Sequence, residues 1–285
     1  MSITGAAKLA GVMGWPVAHS RSPVLHAFWL AEHGIDGAYV PLAVRPEHLS
    51  RALKALPLLG FAGCNLTLPH KEAALEVVDE VEVSARRAGA VNTVIVLPNG
   101  TLRGSNTDGF GFLENLRAEA PGWSAASGPA VVLGAGGAAR AVAAALIDAG
   151  APEIRLINRT PSRTAALAKQ LGGAIRGIAW EERAPALAGA KLVVNATSLG
   201  MSGQPALDLA LDALPRDAVV NDIVYVPLET ELLAAARRRG NPVVDGLGML
   251  LHQGRPGFAA WFGPMPEVTP LLRAAVLATF VPPQR

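Results

Sequence analysis

One cysteine in 285 residues, Cys64, leaves no partner for an internal disulfide, so the chain reads as a protein of a reducing compartment, and we expect the cytoplasm. Charge is sparse as well. Charged residues make up 17%, the formal net charge is +2, and the longest cationic run is Arg237–Arg239. That triplet closes a helical pattern, where cations suit the helix dipole. The electrostatic footprint of a nucleic-acid binder is therefore missing. Long apolar runs are missing too. The N-terminus "MSITGAAKLAGVMG" has no charged segment followed by a continuous apolar core, and the charge-free stretch 120–139 is broken by Pro121, Pro129 and five glycines. No membrane partner is expected. Metal ligands are few: His19, His26 and His33 recur every seven residues, but two helical turns separate the last two by about 10 Å, too far for one zinc.

What is present is 51% hydrophobic sequence, enough to bury a core, over a length that suits about two domains at roughly 150 residues each. From residue 130 short apolar runs alternate with alanine-rich helical stretches, the pattern of a parallel sheet. The runs are "AVVL", "IRLIN", "KLVVNA", "AVVNDIV" and "PVVDG", and the helical stretches close on glycines suited to helix C-termini. The first hundred residues alternate less evenly. "SPVLHAFWLAEHG" predicts a helix with Ser22 as N-cap, Pro23 at the first position and Gly34 as terminator. "AYVPLAV" and "GCNLTLP" predict strands, "PEHLSRALKALPLLG" a helix between them, and "NTVIVLPNGTLRGSN" a hairpin turning at Asn99-Gly100. The expected class is α/β with two domains: an N-terminal α/β substrate domain over 1–108 and a Rossmann, doubly wound parallel sheet over 109–246. A C-terminal helical segment, 247–285, is expected to pack back on the first domain.

"VVLGAGGAARAVAAAL" sets Gly134, Gly136 and Ala139 in the G-x-G-x-x-G/A spacing after a strand, with Gly137 and Ala138 opening a helix. The first glycine makes the tight turn, the second admits a pyrophosphate, and the helix N-terminus offers N–H groups to the anion. The next strand ends in "INRTPSR", with no Asp or Glu to accept from a ribose 2′-hydroxyl. Asn158, Arg159, Thr160 and Arg163 stand there instead, and guanidinium groups suit a 2′-phosphate. The expected cofactor is NADP. Hydride chemistry belongs to such a cofactor, so the protein must supply a proton-transfer group. Lys71, after the strand in "NLTLPHK", and Asp108, in "SNTDG", are the candidates. Taken alone, Lys71 fits equally a surface lysine opening a helix, and Asp108 an N-cap of "GFGFLENL".

At these segments the chain resembles the shikimate dehydrogenases. The resemblance runs through "GWPVAHSRSP", "NLTLPHK", "GAVNT", "SNTDG", "GAGGAAR", "NRTPSR", "NATSLGM" and "DGLGMLLHQG", in order and over nearly the whole chain. It implies an NADP-dependent oxidoreductase interconverting 3-dehydroshikimate and shikimate, with Lys71 and Asp108 as the catalytic pair. It further implies Ser20 and Ser22 at the substrate carboxylate, Thr67, Asn92, Asp108 and Gln253 at the ring hydroxyls, and Tyr225 near the nicotinamide. Thr197, Ser198, Gly246 and Met249 correspond to positions around the cofactor. Asn65 reads as a structural amide beside Thr67, and His70 as a neighbour with a packing or solvent role, a proton relay being the alternative. Trp15 departs from the family, standing where many members carry a smaller polar residue. The rival readings are a quinate/shikimate dehydrogenase using NAD and a non-catalytic module sensing NADP. A monomer and a homodimer are both compatible with the sequence.

Overall fold

A computed structural model of the chain describes residues 3–280, which divide into two compact units, 3–107 with 253–280, and 108–252. In the first unit β1 (Lys8–Gly14), α1 (Ser22–Glu32), β2 (Gly37–Ala43), α2 (Leu49–Ala55), β3 (Phe61–Leu66) and the one-turn α3 (His70–Ala73) follow in order. After them come β4 (Glu80–Val81), α4 (Val83–Ala88), β5 (Thr93–Val96) and β6 (Leu102–Ser105). The sheet order is β2-β1-β3-β5-β6-β4. β1 pairs in parallel with β2 and β3, while β5 runs antiparallel to β3 and β6, because the expected hairpin returns the chain at Gly100, φ +85°. Met13, Leu53, Cys64, Leu66, Val91 and Val94 form the core on one face. Cys64 is fully buried there, and burial pushes its thiol up to about 12, so it packs as a small apolar group.

The second unit opens with α5 (Asp108–Glu119) and continues through β7 (Ala130–Leu133), α6 (Gly137–Asp148), β8 (Ile154–Ile157), α7 (Pro161–Leu171) and β9 (Ile175–Ile178). β10 (Leu192–Asn195), β11 (Val219–Asp222), α8 (Glu231–Arg239), β12 (Val243–Val244) and α9 (Gly246–Phe262) complete it. All its strands are parallel, in the order β12-β11-β10-β7-β8-β9. The order reverses direction between β7 and β10, which is where a doubly wound sheet opens its ligand crevice. Buried Val131, Val132, Val193, Val194 and Val220 explain why the strands read as unbroken apolar runs: both faces are covered. β9 is absent from the sequence expectations. It is a four-residue edge strand with half-exposed ends and an exposed centre, so it carries no apolar signal.

Three further details differ from the sequence reading. Ser22 is the first helical residue of α1 and not its N-cap; Arg21 takes that place, and the Ser22 N–H donates to Ser20 Oγ at 3.3 Å. Asp108 likewise lies in the first turn of α5. The division between units falls inside α9, after His252, so residues 247–252 belong with the second unit and 253–280, including α10 (Pro270–Leu277), with the first.

Gly63, in the middle of β3, has φ +151°, and a side-chain carbon there would collide with the Val94 carbonyl oxygen and the Trp261 indole nitrogen. The space is already taken by the Trp261 Nε1–H donating to the Val94 oxygen at 3.0 Å. Gly63→Ala is expected to lower unfolding free energy by about 2 kcal/mol or more, combining backbone strain with a lost buried hydrogen bond. Urea denaturation checks it.

Candidate active site

The topology of the first sheet gathers its site residues at one end. β1 and β3 run in parallel and finish at Gly14 and Leu66, and antiparallel β5 starts beside them, with Asn65 opposite Thr93. β6 then ends opposite Thr93 at Ser105. Backbone bonds tie the emerging loops together. The Thr67 N–H donates to Met13 O at 3.0 Å, Trp15 N–H to Leu68 O at 3.1 Å, and Val91 N–H to Lys71 O at 2.8 Å. Ser20, Thr67 and Lys71 are half-buried, and Ser22 and Asn92 are buried. Gln253, also half-buried, precedes Gly254, whose missing side chain lets α9 approach Leu25 and Trp29 of α1.

Under these residues runs a chain of buried polar groups. The Tyr39 hydroxyl donates to Asn65 Oδ1 at 2.6 Å, and Asn65 Nδ2 donates to the Asn92 carbonyl at 3.0 Å and to Thr93 Oγ1 at 3.1 Å. Asn92 Oδ1 accepts from the Thr93 hydroxyl at 2.9 Å and the Thr107 N–H at 2.9 Å, and its Nδ2 donates to Thr107 Oγ1 at 3.0 Å. The Asn92 amide is thus fixed on both sides. His70 is buried and its Nε2 meets the Val44 carbonyl at 2.8 Å. Burial pushes the Tyr39 phenol well above its ordinary range, with Cys64 adding and Ser22 opposing.

Behind Tyr39 lies His26, stacked on its ring at 3.8 Å and edge-on to Trp29 at 5.5 Å. Neither imidazole nitrogen closes a hydrogen bond. Burial lowers its pKa from 6.5 to about 3, offset only in part by the nearby Asn65 side chain. Trp15 is exposed at the loop after β1, and the Arg45 guanidinium lies over its ring at 5.3 Å.

In the second unit the glycine loop has the required geometry. Gly134 has φ +113°, and a Cβ there would stand 2.7 Å from the Ala196 oxygen. Gly136 and Gly137 are exposed and face open space, and no side chain caps the N-terminus of α6. Half-buried Ala138 follows in the first turn, and Ala139, fully buried, brings α6 close to the sheet. These are the conditions for a pyrophosphate on the helix N-terminus. After β8, Asn158 Nδ2 donates to Thr160 O at 3.2 Å, and Thr160 is the N-cap of α7. Arg159 and Arg163 are exposed, have no ion-pair partner among the described residues, and no acid stands in the first turn of α7. Two cations at a helix N-terminus fit an external anion.

The loops after β10 and β11 are built around two side chains that sequence reasoning passed over, Asn195 and Asp222. Asn195 Oδ1 accepts from Thr197 N–H at 3.1 Å and Thr197 Oγ1 at 2.7 Å. Its Nδ2 donates to Leu199 O at 3.0 Å and Asp222 Oδ1 at 2.9 Å. Ser198 is exposed on that turn, and Tyr225 is half-buried on the loop after β11. The Ser202 N–H joins the two loops through the Val226 carbonyl at 2.9 Å. Gly246 is buried against Ile223 O, where any side chain would collide, and Met249 packs at the margin of the core. The available signal for Asp222 was a carboxylate closing the apolar strand start in "AVVND".

Two family models match the chain: one described as the shikimate dehydrogenase substrate binding domain, over residues 12–94, and one described as shikimate / quinate 5-dehydrogenase, over 118–202. A relative from Paramagnetospirillum magneticum, "Shikimate dehydrogenase (NADP(+))", is 63% identical across 97% of this chain and 100% of its own length. Among solved structures, shikimate 5-dehydrogenase from Thermus thermophilus, in complex with NADP(H) and shikimate, superposes with a TM-score of 0.84 at 43% identity, covering 95% of this chain and 99% of that one. Quinate dehydrogenase from Corynebacterium glutamicum, in complex with NAD, gives a TM-score of 0.88 at 34% identity, with the same coverage.

The burial of His26 makes a pH prediction. Its folded pKa lies below its unfolded one, so the stability it contributes is full above pH 6.5 and is lost as pH falls toward about 3. Between pH 6.5 and 5 the wild-type chain should lose roughly 2 kcal/mol more than His26→Phe, at about 1.4 kcal/mol per pH unit. Chemical denaturation of both proteins across that range reads the difference.

Proposed function

Because this chain belongs to the shikimate dehydrogenase family, we propose that it interconverts 3-dehydroshikimate and shikimate with NADP, in the cytoplasm, as a step of aromatic amino-acid biosynthesis. The observation that carries the cofactor choice is the pair Arg159 and Arg163 with no carboxylate after β8. A bound nicotinamide dinucleotide supplies hydride exchange at the carbinol carbon.

The chain's own residues do the rest. Lys71 and Asp108 act at the substrate hydroxyl, taking its proton on oxidation and returning it on reduction. Ser20 and Ser22 donate to the carboxylate. Thr67, Asn92 and Gln253 bond the ring hydroxyls, and Tyr225 closes the substrate side near the nicotinamide. The Asn92 amide is held in orientation by Thr93 and Thr107, which supports its use as a fixed partner for a ring hydroxyl. Gly134, Gly136, Gly137 and Ala138 receive the pyrophosphate. Asn158, Arg159, Thr160 and Arg163 hold the 2′-phosphate end, and Thr197, Ser198, Gly246 and Met249 hold the nicotinamide half.

Nicotinamide absorbance with shikimate and NADP tests the proposal directly, and no change would overturn it. Lys71→Ala is expected to lower kcat by about 10²–10⁴-fold while NADP affinity holds, as for loss of a general acid–base group. Exchanging Arg159 and Arg163 together for Ala should raise KM for NADP about tenfold or more with little effect on KM for NAD, since only the former carries the extra phosphate. Steady-state kinetics with both cofactors, and with quinate beside shikimate, separates this reading from the NAD-dependent one.

A further inference from the structure

Asp222 ends β11 with 0% exposure, and every group bonded to it is a donor. Oδ1 accepts from the Val224 N–H at 3.0 Å and from Asn195 Nδ2 at 2.9 Å; Oδ2 accepts from the Thr230 hydroxyl at 2.7 Å. Thr230 Oγ1 itself accepts from the Leu233 N–H at 3.4 Å, which leaves its proton for Asp222. A set of donors and no acceptors is the environment of an ionised carboxylate. Burial pushes its pKa up, and Thr230, Val224 and Asn195 oppose that in turn. No Lys or Arg pairs with it among the described residues. It is therefore a negative charge in a low-dielectric place with no compensating cation. The other carboxylate at this edge of the sheet, Asp245, is half-exposed, where solvent screens it.

The position gives that charge a target. With the glycine loop after β7 and the arginines after β8 taking the adenosine half, a dinucleotide lying across the strand-order reversal sends its other half over β10 and β11. Asp222 ends β11, three residues before Tyr225, and its Asn195 partner holds the Thr197 turn. A nicotinamide ring is cationic when oxidised and neutral when reduced, so a fixed buried anion distinguishes the two forms whereas hydrogen bonds to the carboxamide do not. Resting on the cofactor reading above, we propose that Asp222 is an electrostatic determinant of oxidation state, favouring NADP⁺ over NADPH on this protein.

The test is binding, not turnover. Titrating the full chain with NADP⁺ and with NADPH by calorimetry gives a ratio of dissociation constants for wild type and for Asp222→Asn, in which the side chain keeps its shape and loses its charge. The expected result is a ratio Kd(NADP⁺)/Kd(NADPH) higher by about fivefold or more in the variant, the scale of a screened charge interaction, with Kd(NADPH) nearly unchanged. Equal weakening of both forms would reduce Asp222 to a structural fastening and overturn the proposal, as would no change in either. Should Asp222→Asn not fold, Thr230→Val carries the test: it withdraws one donor, drives the carboxylate toward its neutral form and should move the ratio in the same direction, and an unmoved ratio overturns the proposal. If wild type binds the NAD pair instead, the same ratio is measured with NAD⁺ and NADH, and only the choice of cofactor fails. If it binds neither, the cofactor reading and this proposal fall together.

Discussion

The first unit's candidate site depends on one side chain at the end of a buried strand. Asn65 accepts from Tyr39 on one side and donates on the other to the Asn92 carbonyl and Thr93. A strand that ends in the interior leaves backbone and side-chain groups that water cannot reach, and each must find a partner inside the protein. Asn65 meets that requirement for three elements at once: edge strand β2, central β3 and the start of antiparallel β5. The consequence is geometric. Thr67 and Lys71 leave the sheet at a point defined by Asn65, and Asn92 enters it at a point defined by the same amide. Removing this one bonding group would take a partner from the buried Tyr39 hydroxyl on β2 and from the Asn92 carbonyl and Thr93 hydroxyl at the start of β5.

The second unit solves the same problem with a different residue pair. Its strands also end in buried polar side chains, Asn195 on β10 and Asp222 on β11, bonded to each other and then to the loops that follow. The first unit uses amides and hydroxyls throughout, so its fastening is neutral and makes no long-range field. The second includes a carboxylate, whose field extends beyond its contacts because no Lys or Arg pairs with it among the described residues. The difference matters for chemistry. A substrate recognised by hydroxyl pattern is best met by neutral donors and acceptors, while a cofactor that changes charge as it reacts responds to a fixed charge.

How much of this was legible in the sequence follows from the range of each interaction. β7, β8, β10 and β11 stand within a residue or two of the apolar runs, because covering both faces of a parallel sheet forces unbroken hydrophobic stretches. The glycine loop was legible because a positive φ at Gly134 and the close approach of Ala196 admit no side chain. Ser22 shows the limit of local rules. The Ser-Pro pattern of a helix start was right, but Ser20 supplies the accepting oxygen and the helix begins one residue earlier than the cap rule implies. β9 escaped because an edge strand needs no apolar alternation. Asn65 read as a structural amide, but the bond between it and Tyr39 escaped for another reason. The two residues stand 26 positions apart and belong to strands that do not pair, brought together only through the register of β1 between them. The same holds for His26, whose seven-residue spacing did not suit a metal and gave no other role, and whose place in the structure is a ring stacked on Tyr39.

The distribution of charge along the second sheet follows the electrostatics of a dinucleotide from end to end. Beyond β8 stand two guanidinium groups at a helix N-terminus, a combination that repels itself until an anion arrives. At β7 the loop carries no side-chain charge at all, only glycine backbone and an uncapped helix, so the pyrophosphate meets N–H dipoles and not a competing counter-ion. At β11 the sign changes to a buried carboxylate. Each of these features costs stability in the free protein: unpaired cations, open glycines in a helix start, a desolvated anion. None is explained by the packing of the sheet, whose core is complete without them. A fold retains such costs where a ligand offsets them, and a ligand anionic at one end and intermittently cationic at the other offsets all three.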